Sequence, residues 1–183
     1  MITDALLNVL VPIGTNQSLV AGAGVSIPSV GTLDLLGAGV GVAPPNIIGN
    51  ATVFGQDSGI NAVPPSLIVT LADALATSNS ATLTIAVQGA VDSGSGGGYM
   101  PGTWQTFEQS PAITAAQGTA GARVFRLPFP PAFPSSMRPR FIRLLFIVPS
   151  ATNFTAGSVG SAIITRSPDE HSNRYAPRNY VVA

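Results

Sequence analysis

The chain has 183 residues, of which 45% are hydrophobic and only 9% are charged, and its formal net charge is zero. A chain this apolar is not intrinsically disordered, and its 20 glycines and 16 prolines disfavour a bundle of long helices. Ordinary globular proteins have about 25% charged residues, so this chain lacks the usual charged surface. Because buried interfaces are depleted in charge, we infer that partner subunits cover much of the surface.

The charged residues are unevenly distributed along the chain. There is no lysine, all eight cations are arginines from Arg123 onward, and six of the eight acids precede Arg123. Residues 1–122 therefore carry a charge of −6 and residues 123–183 a charge of +6. Arginine binds carboxylates through a rigid fork of donors and is enriched at interfaces, so we expect the C-terminal third to bind protein partners. The expected contact residues are Arg138, Arg140, Arg143, Arg166, Arg174, Tyr175, Arg178 and Tyr180.

The N-terminal third shows little regular structure. Residues 1–10 fit one short helix, whereas residues 11–65 interleave single aliphatic residues with Gly, Pro, Ser and Asn. A short strand is expected near Asp34. Such a long irregular segment is unusual in a compact domain unless it is functional, and this one is too apolar for a solvated linker. We therefore expect residues 1–65 to form an arm that packs on its own domain or on neighbouring subunits.

From residue 66 onward the pattern is that of β-structure. In the segment 81–88, Leu83, Ile85 and Val87 alternate with more polar residues, which indicates a strand with one buried face. Other segments rich in β-branched and aromatic residues follow, separated by turns that contain Gly, Pro or Ser. The additional expected strands are 66–71, 103–107, 123–127, 140–148 and 158–165.

Six or more strands without a long helix predict an all-β fold, an antiparallel β-sandwich. The spacing of the strands suits a jelly-roll-like or an immunoglobulin-like topology. We assign the sandwich to residues 66–166, preceded by the Gly/Pro-rich arm of residues 1–65 and followed by a polar, arginine-containing tail of residues 167–183. The N-terminus is a poor signal peptide, and no stretch reads as a membrane span, so we expect no membrane partner.

The chain offers few side chains for catalysis or for metal binding. It has no cysteine, and its single histidine, His171, lies in a polar loop. No set of residues has the spacing of a nucleophile with its base, of a zinc site or of an EF-hand. The loop at 94–98 lacks the lysine of a phosphate-binding loop, and zero net charge argues against nucleic acid. We therefore predict a non-enzymatic protein with no catalytic residue, metal, cofactor or small-molecule substrate.

Short motifs occur together in the C-terminal half and at both ends of the chain. The strand at 140–148 combines aromatic and aliphatic residues with Arg and Leu, and a Phe-Thr-Ala-Gly motif opens the last strand. The motifs are Met1-Ile2-Thr3-Asp4-Ala5-Leu6-Leu7, Leu127-Pro128, Pro130-Pro131, Arg140-Phe141-Ile142-Arg143-Leu144, Phe146-Ile147-Val148, Asn153-Phe154-Thr155-Ala156-Gly157-Ser158-Val159, Ile163-Ile164-Thr165 and Asn173-Arg174-Tyr175-Ala176-Pro177.

This combination resembles the Bordetella-phage-type cement, or decoration, proteins of tailed-phage capsids. The resemblance implies a jelly-roll domain on the outer capsid surface of the virion, assembled in the host cytoplasm. It also implies self-association as a dimer or trimer and contacts that bridge neighbouring copies of the major capsid protein. The long arm at 11–65 and the proline-rich corner at 128–139 depart from the family's pattern, which affects the expected oligomer geometry and contact surface.

Two other functions remain as alternatives. Tyr99 and Trp104 flank the glycine-rich loop, and exposed aromatic residues bind sugars in carbohydrate-binding sandwiches, so a carbohydrate- or receptor-binding module of a virion is one alternative. The alternation of Trp104 with Gln105 favours a position of Trp104 in the core instead. A shell-forming jelly-roll capsid protein is the other alternative, although the basic interior arm often found in such proteins is missing here.

Overall fold

The structure is a computed structural model, and it describes residues 10–11, 14–34, 66–93, 100–129 and 139–165. Within these ranges the chain forms ten β-strands and no helix, which confirms the all-β prediction. The predicted N-terminal helix, apart from its last residue, the glycine-rich loop and the C-terminal tail lie outside the described residues. The strands are β1 (Gln17–Ser18), β2 (Ile27–Pro28), β3 (Leu33–Asp34), β4 (Ser66–Ala76), β5 (Thr82–Ala90), β6 (Gln105–Gln109), β7 (Ile113–Thr114), β8 (Arg123–Pro128), β9 (Phe141–Ile147) and β10 (Ala156–Thr165).

The strands form two antiparallel sheets that pack as a β-sandwich. The four-stranded sheet has the order β1-β10-β4-β8, and the six-stranded sheet has the order β2-β9-β5-β6. In the second sheet, β3 also pairs with β9 and β7 also pairs with β5. The antiparallel sandwich predicted from the sequence is thus confirmed, and every strand pair described is antiparallel.

The core lies between the two sheets and is aliphatic and aromatic. Leu83, Ile85 and Val87 of β5 are fully buried, as their alternation predicts. Phe146 and Phe154 are the largest fully buried side chains. Burial of each such side chain contributes about 1.5–3 kcal/mol relative to exposure, so this interior accounts for most of the stabilisation of the sandwich.

Residues 17–34, which we call the closing edge, run along one side of the sandwich and contribute to both sheets. β1 pairs with β10 in the first sheet, whereas β2 and β3 pair with β9 in the second. The buried Gln17 side chain connects the two, because its Nε2 donates to the Pro28 carbonyl at 2.6 Å and its Oε1 accepts from the Val30 amide at 3.1 Å. This described part of the predicted arm is therefore packed on the sandwich. The division of the chain at residues 66 and 166 stays a prediction.

Candidate partner-binding surfaces

Arg140, one of the expected partner-binding residues, lies in the interior with only 8% of its surface exposed. It precedes β9 and donates from Nε and Nη2 to the two carboxylate oxygens of Asp34 at 3.1 and 3.0 Å. Its Nη1 donates to Oδ2 of Asp92 at 2.7 Å. The hydrogen bond to Asp34 raises the pKa of Arg140, while burial acts in the opposite direction. Arg140 thus fastens the end of the closing edge and the end of β5 to β9, and its contact with a partner stays a prediction.

Arg143 lies two residues further along and has different surroundings. Its neighbours Ile142 and Leu144 point into the core, so Arg143 projects from the outer face of the six-stranded sheet, where it is half-buried. Its Nε donates to Oε1 of Gln88 at 2.9 Å. Gln88 in turn donates from Nε2 to the Thr106 hydroxyl at 3.1 Å. These hydrogen bonds hold the guanidinium at the surface of the sheet.

The Arg143 guanidinium has no carboxylate partner among the described residues. Its Cζ atom lies 4.2 Å from the centre of the Trp104 ring, which is a cation–π contact. Burial lowers the pKa of Arg143, and no charge of the described residues acts against this effect. Arginine nevertheless stays protonated in proteins, so the outer face carries a partly desolvated positive charge.

Trp104 does not lie in the core, and the core position favoured by the sequence is wrong. The tryptophan directly precedes β6 and is half-buried under Arg143 instead. The strand predicted at 103–107 begins only at Gln105, so the alternation that placed Trp104 in the core does not apply to it. Trp104 and Arg143 together form an aromatic and cationic surface, which we call the Arg143–Trp104 site.

Apolar side chains adjoin this site on the same face of the sheet. Leu145 and Ile147 of β9 project outward like Arg143 and are half-buried. Leu145 pairs with the fully buried Ala86 on one side and with the exposed Pro28 on the other. Paired residues in a sheet share a face, so the outer face continues from the Arg143–Trp104 site to the closing edge.

The closing edge exposes apolar side chains and no charged one. Val20, Val25 and Val30 are 50%, 46% and 59% exposed. The one charged residue of this segment, Asp34, is 2% exposed and is bonded to Arg140. β1 and β2 are also the outermost described strands of their sheets on this side. The closing edge is therefore an uncharged sheet edge, which suits contact with protein better than exposure to water.

A groove of about 470 Å³ lies at the opposite side of the sandwich, between β6, β7 and β8. Its lining mixes exposed charged residues with buried apolar ones, and neither Trp104 nor Arg143 contributes to it. No catalytic pair of residues emerges from this lining. The lining includes Glu108, Pro111, Ile113, Arg123, Phe125 and Arg126.

The other expected contact residues lie outside the described part of the chain, and their role stays a prediction. Tyr99, the second aromatic residue of the carbohydrate alternative, lies outside it as well. Sequence reasoning missed Gln88, Asp34 and Asp92 as partners of the arginines, because no local pattern connects residues so far apart. The contact residues without a described position are Arg138, Arg166, Arg174, Tyr175, Arg178 and Tyr180.

Two further features are absent from the described ranges. No group of three or more His, Asp or Glu side chains is arranged there to hold a metal ion. No helix long and apolar enough to cross a membrane occurs in the same ranges.

No protein-family model matches the chain. No curated protein matches its sequence either.

Proposed function

We propose that the chain is a non-enzymatic structural protein of a virion, a cement protein that binds the outside of an assembled tailed-phage capsid. It bridges neighbouring subunits of the major capsid protein and self-associates as a dimer or trimer on the shell. The observation that carries the proposal is the uncharged closing edge, residues 17–34, with its three exposed valines. The sequence resemblance adds the capsid as the place of action.

The physical argument concerns the sheet edge. Soluble monomers usually protect exposed edges with lysine, other charges or a covering segment, because a bare edge invites pairing with another chain. Here the outermost strands β1 and β2 carry no exposed charge, although Pro28 limits pairing along β2. Depletion of charge in favour of apolar side chains is typical of the centre of a protein interface. A protein partner that covers this edge accounts for both features.

The strand pairing supports a jelly-roll topology for this proposal. A jelly roll results when a long antiparallel hairpin is rolled into two sheets, so its strands pair from the ends inward. β1 pairs with β10, then β2 and β3 with β9, then β4 with β8, and finally β5 with β6 and β7. These pairs are nested, and the two remaining pairs, β4 with β10 and β5 with β9, join them into the two sheets.

Binding to the assembled shell explains how such a protein stabilises it without catalysis. A protein that binds the assembled shell and not the separated subunits adds its binding free energy to shell stability by mass action. Many copies act on one shell, so each contact can be modest. Arg143 and the arginines of the predicted tail then bind carboxylates of the capsid surface.

Co-sedimentation with shells assembled without this protein tests the proposal. The full-length chain is expected to pellet with the shells in a saturable way and to raise their melting temperature. Val25→Asp, which places a charge on the closing edge, is expected to lose this binding, whereas Ala116→Asp in an exposed turn keeps it. A full-length protein that stays in the supernatant contradicts the proposal. Removal of residues 167–183 in the same assay measures the contribution of the predicted tail.

The half-buried position of Trp104 outside the core favours a second candidate, a carbohydrate-binding module. Aromatic rings near the surface can bind sugar rings by stacking. The described groove is not lined by Trp104, so this function would need a shallow site on the outer face of the sheet. Screening of the protein against a glycan array, with Trp104→Ala as the control, separates this candidate from the first.

A further inference from the structure

The hydrogen-bonding capacity of Arg143 is only partly used within the chain. Its Nε donates to Gln88, and Trp104 covers one face of its guanidinium. The two terminal amino groups donate to none of the residues that the structure describes, in contrast to Arg140, whose amino groups bind two carboxylates. Gln88 and Trp104 therefore fix the plane of the guanidinium and leave its four terminal N–H groups for a ligand.

The charge of Arg143 indicates what kind of ligand fits. The guanidinium is half-buried beside an aromatic ring and has no counter-charge among the described residues. A planar guanidinium binds a carboxylate through two parallel hydrogen bonds, and loss of water around the pair strengthens the contact. The hydrogen-bonded neighbours Gln88 and Thr106 are neutral, so the site offers one positive charge.

The apolar surroundings distinguish between possible carriers of the anion. Leu145 and Ile147 adjoin Arg143 on the outer face and are half-buried, as is Trp104. An aspartate or glutamate side chain on a protein surface brings one negative charge together with apolar neighbours. A nucleic-acid backbone brings a row of phosphates and requires a stripe of cations, which this face does not provide among its described residues.

We propose that Arg143 and Trp104 form a binding site for the carboxylate of an aspartate or glutamate that a protein partner presents to the outer face of the six-stranded sheet. The inference deepens the proposed function and rests on it for the identification of the partner as a capsid subunit. Arginine and tryptophan are the residues that most often dominate the affinity of protein interfaces. Trp104 and Gln88 position the guanidinium, and Arg143 provides the charge and the donors.

The single tryptophan of the chain allows the site to be observed directly, because only Trp104 contributes an indole N–H signal to the NMR spectrum. The full chain, labelled with ¹⁵N, is titrated with a capped pentapeptide of alternating glutamate and leucine. The same peptide with glutamine in place of glutamate, inorganic phosphate and a methyl glycoside are the comparison probes, all at equal ionic strength. The glutamate peptide is expected to shift the Trp104 signal in a saturable way and to bind more tightly than the other probes.

Substitution of Arg143 then tests whether the guanidinium binds the probe. Arg143→Gln is expected to lower the affinity for the glutamate peptide by about tenfold or more, because a hydrogen-bonded charge pair is lost. Arg126→Gln, which removes an exposed arginine of β8 in the other sheet, is expected to leave the affinity unchanged. If Arg143→Gln does not fold, Arg143→Lys keeps the charge, and it too is expected to weaken binding because lysine lacks the planar fork.

Specific outcomes overturn the proposal. No response to the glutamate peptide excludes the site, and an equal response to the glutamine peptide shows that the carboxylate is not recognised. A stronger response to phosphate or to the glycoside assigns the site to another class of ligand. Failure of this site differs from failure of the proposed function. If the protein pellets with shells but does not bind the peptide, only the proposed carboxylate site is contradicted. If the protein binds the peptide through Arg143 but does not bind the shells, only the proposed capsid function is contradicted.

Discussion

Arg140 and Asp34 form a buried, two-bond ion pair between residues 106 positions apart in the sequence, with N···O distances of 3.1 and 3.0 Å. Asp34 is the last residue of the closing edge, and Arg140 directly precedes β9. Asp92, which follows β5, binds the same guanidinium. One guanidinium therefore binds two carboxylates that lie in different parts of the chain, so Arg140 connects the closing edge and the end of β5 at one point.

Arg140→Met is therefore expected to destabilise the fold strongly. Methionine keeps much of the side-chain volume but removes the charge and the two hydrogen bonds that Arg140 gives to the buried Asp34 carboxylate, and removal of one partner of a buried pair costs about 3–5 kcal/mol. Urea denaturation followed by circular dichroism measures the free energy of unfolding. Arg126→Met on the exposed face of β8 is the matched control and is expected to change it by less than about 1 kcal/mol. An equal, small effect of both substitutions would show that Arg140 does not hold the two acids together.

Gln17→Ala is expected to loosen the closing edge. The substitution removes a buried amide that donates to the Pro28 carbonyl and accepts from the Val30 amide, and it leaves these two backbone groups unpaired. Pro28 and Val30 are exposed residues whose freed backbone groups can bind water, so the cost is about 0.5–1.5 kcal/mol for each lost hydrogen bond. Hydrogen exchange is expected to accelerate at the Val30 amide, while the amides of β4 and β5 keep their protection.

Gln105→Ala is the control for this experiment. Gln105 is an exposed residue of β6, at the other side of the six-stranded sheet. Its loss is expected to leave both stability and exchange unchanged. Uniformly faster exchange after Gln17→Ala would mean that the closing edge does not open separately from the sandwich, and the role given to Gln17 would then be wrong.

The sequence predicted the strands whose pattern is local. β5 and β9 were predicted almost to their ends, because hydrophobic alternation in a half-buried strand can be read from neighbouring residues alone. β1, β2 and β7 were missed, because each is only two residues long and pairs with a strand that is distant in sequence or carries little pattern. Their positions depend on the edges of strands already formed, which the local pattern does not contain.

The site residues show the same limit. The sequence indicated that the arginines bind carboxylates, and for Arg140 those carboxylates lie within the chain, 48 and 106 positions away. Trp104 was placed in the core from its alternation with Gln105, but its actual neighbour is Arg143 on β9. A strand order was needed for both relationships, and strand order is a property of the folded sheet.

Gly89→Ala tests a close contact at the end of β5. A Cβ atom at this position would overlap Cε2 of the Phe107 ring and lie 2.8 Å from Cβ of Pro139. The ring cannot move freely, because Phe107 is half-buried within β6, so we expect destabilisation by about 1–3 kcal/mol. Gly22→Ala is the control, since its nearest neighbour, Cγ2 of Val25, would be at an ordinary 3.5 Å. Thermal melting of the two variants gives the comparison, and equal melting temperatures would contradict the tight packing at Gly89.

Arg143→Met is expected to separate stability from binding. Burial lowers the pKa of Arg143, which means that the folded environment disfavours the protonated form. This cost is present at every pH below the range in which arginine titrates, so no pH dependence is expected near neutrality. The contact with Trp104 stabilises the folded state by about 0.5–2 kcal/mol, and methionine fills similar space against the ring. The two effects oppose each other, so the free energy of unfolding is expected to change by less than about 1.5 kcal/mol.

Binding is expected to respond in the opposite way. Without the guanidinium the site loses its positive charge and the planar fork of N–H donors, so Arg143→Met is expected to lose the response of Trp104 to the glutamate peptide while the fold is retained. The stability is measured by urea denaturation and the binding by NMR on the same preparation. A loss of several kcal/mol in stability would make Arg143 a structural residue of the sheet, and unchanged peptide binding would show that the carboxylate is held elsewhere. Retained stability together with lost binding is the combination that only a ligand-binding residue produces.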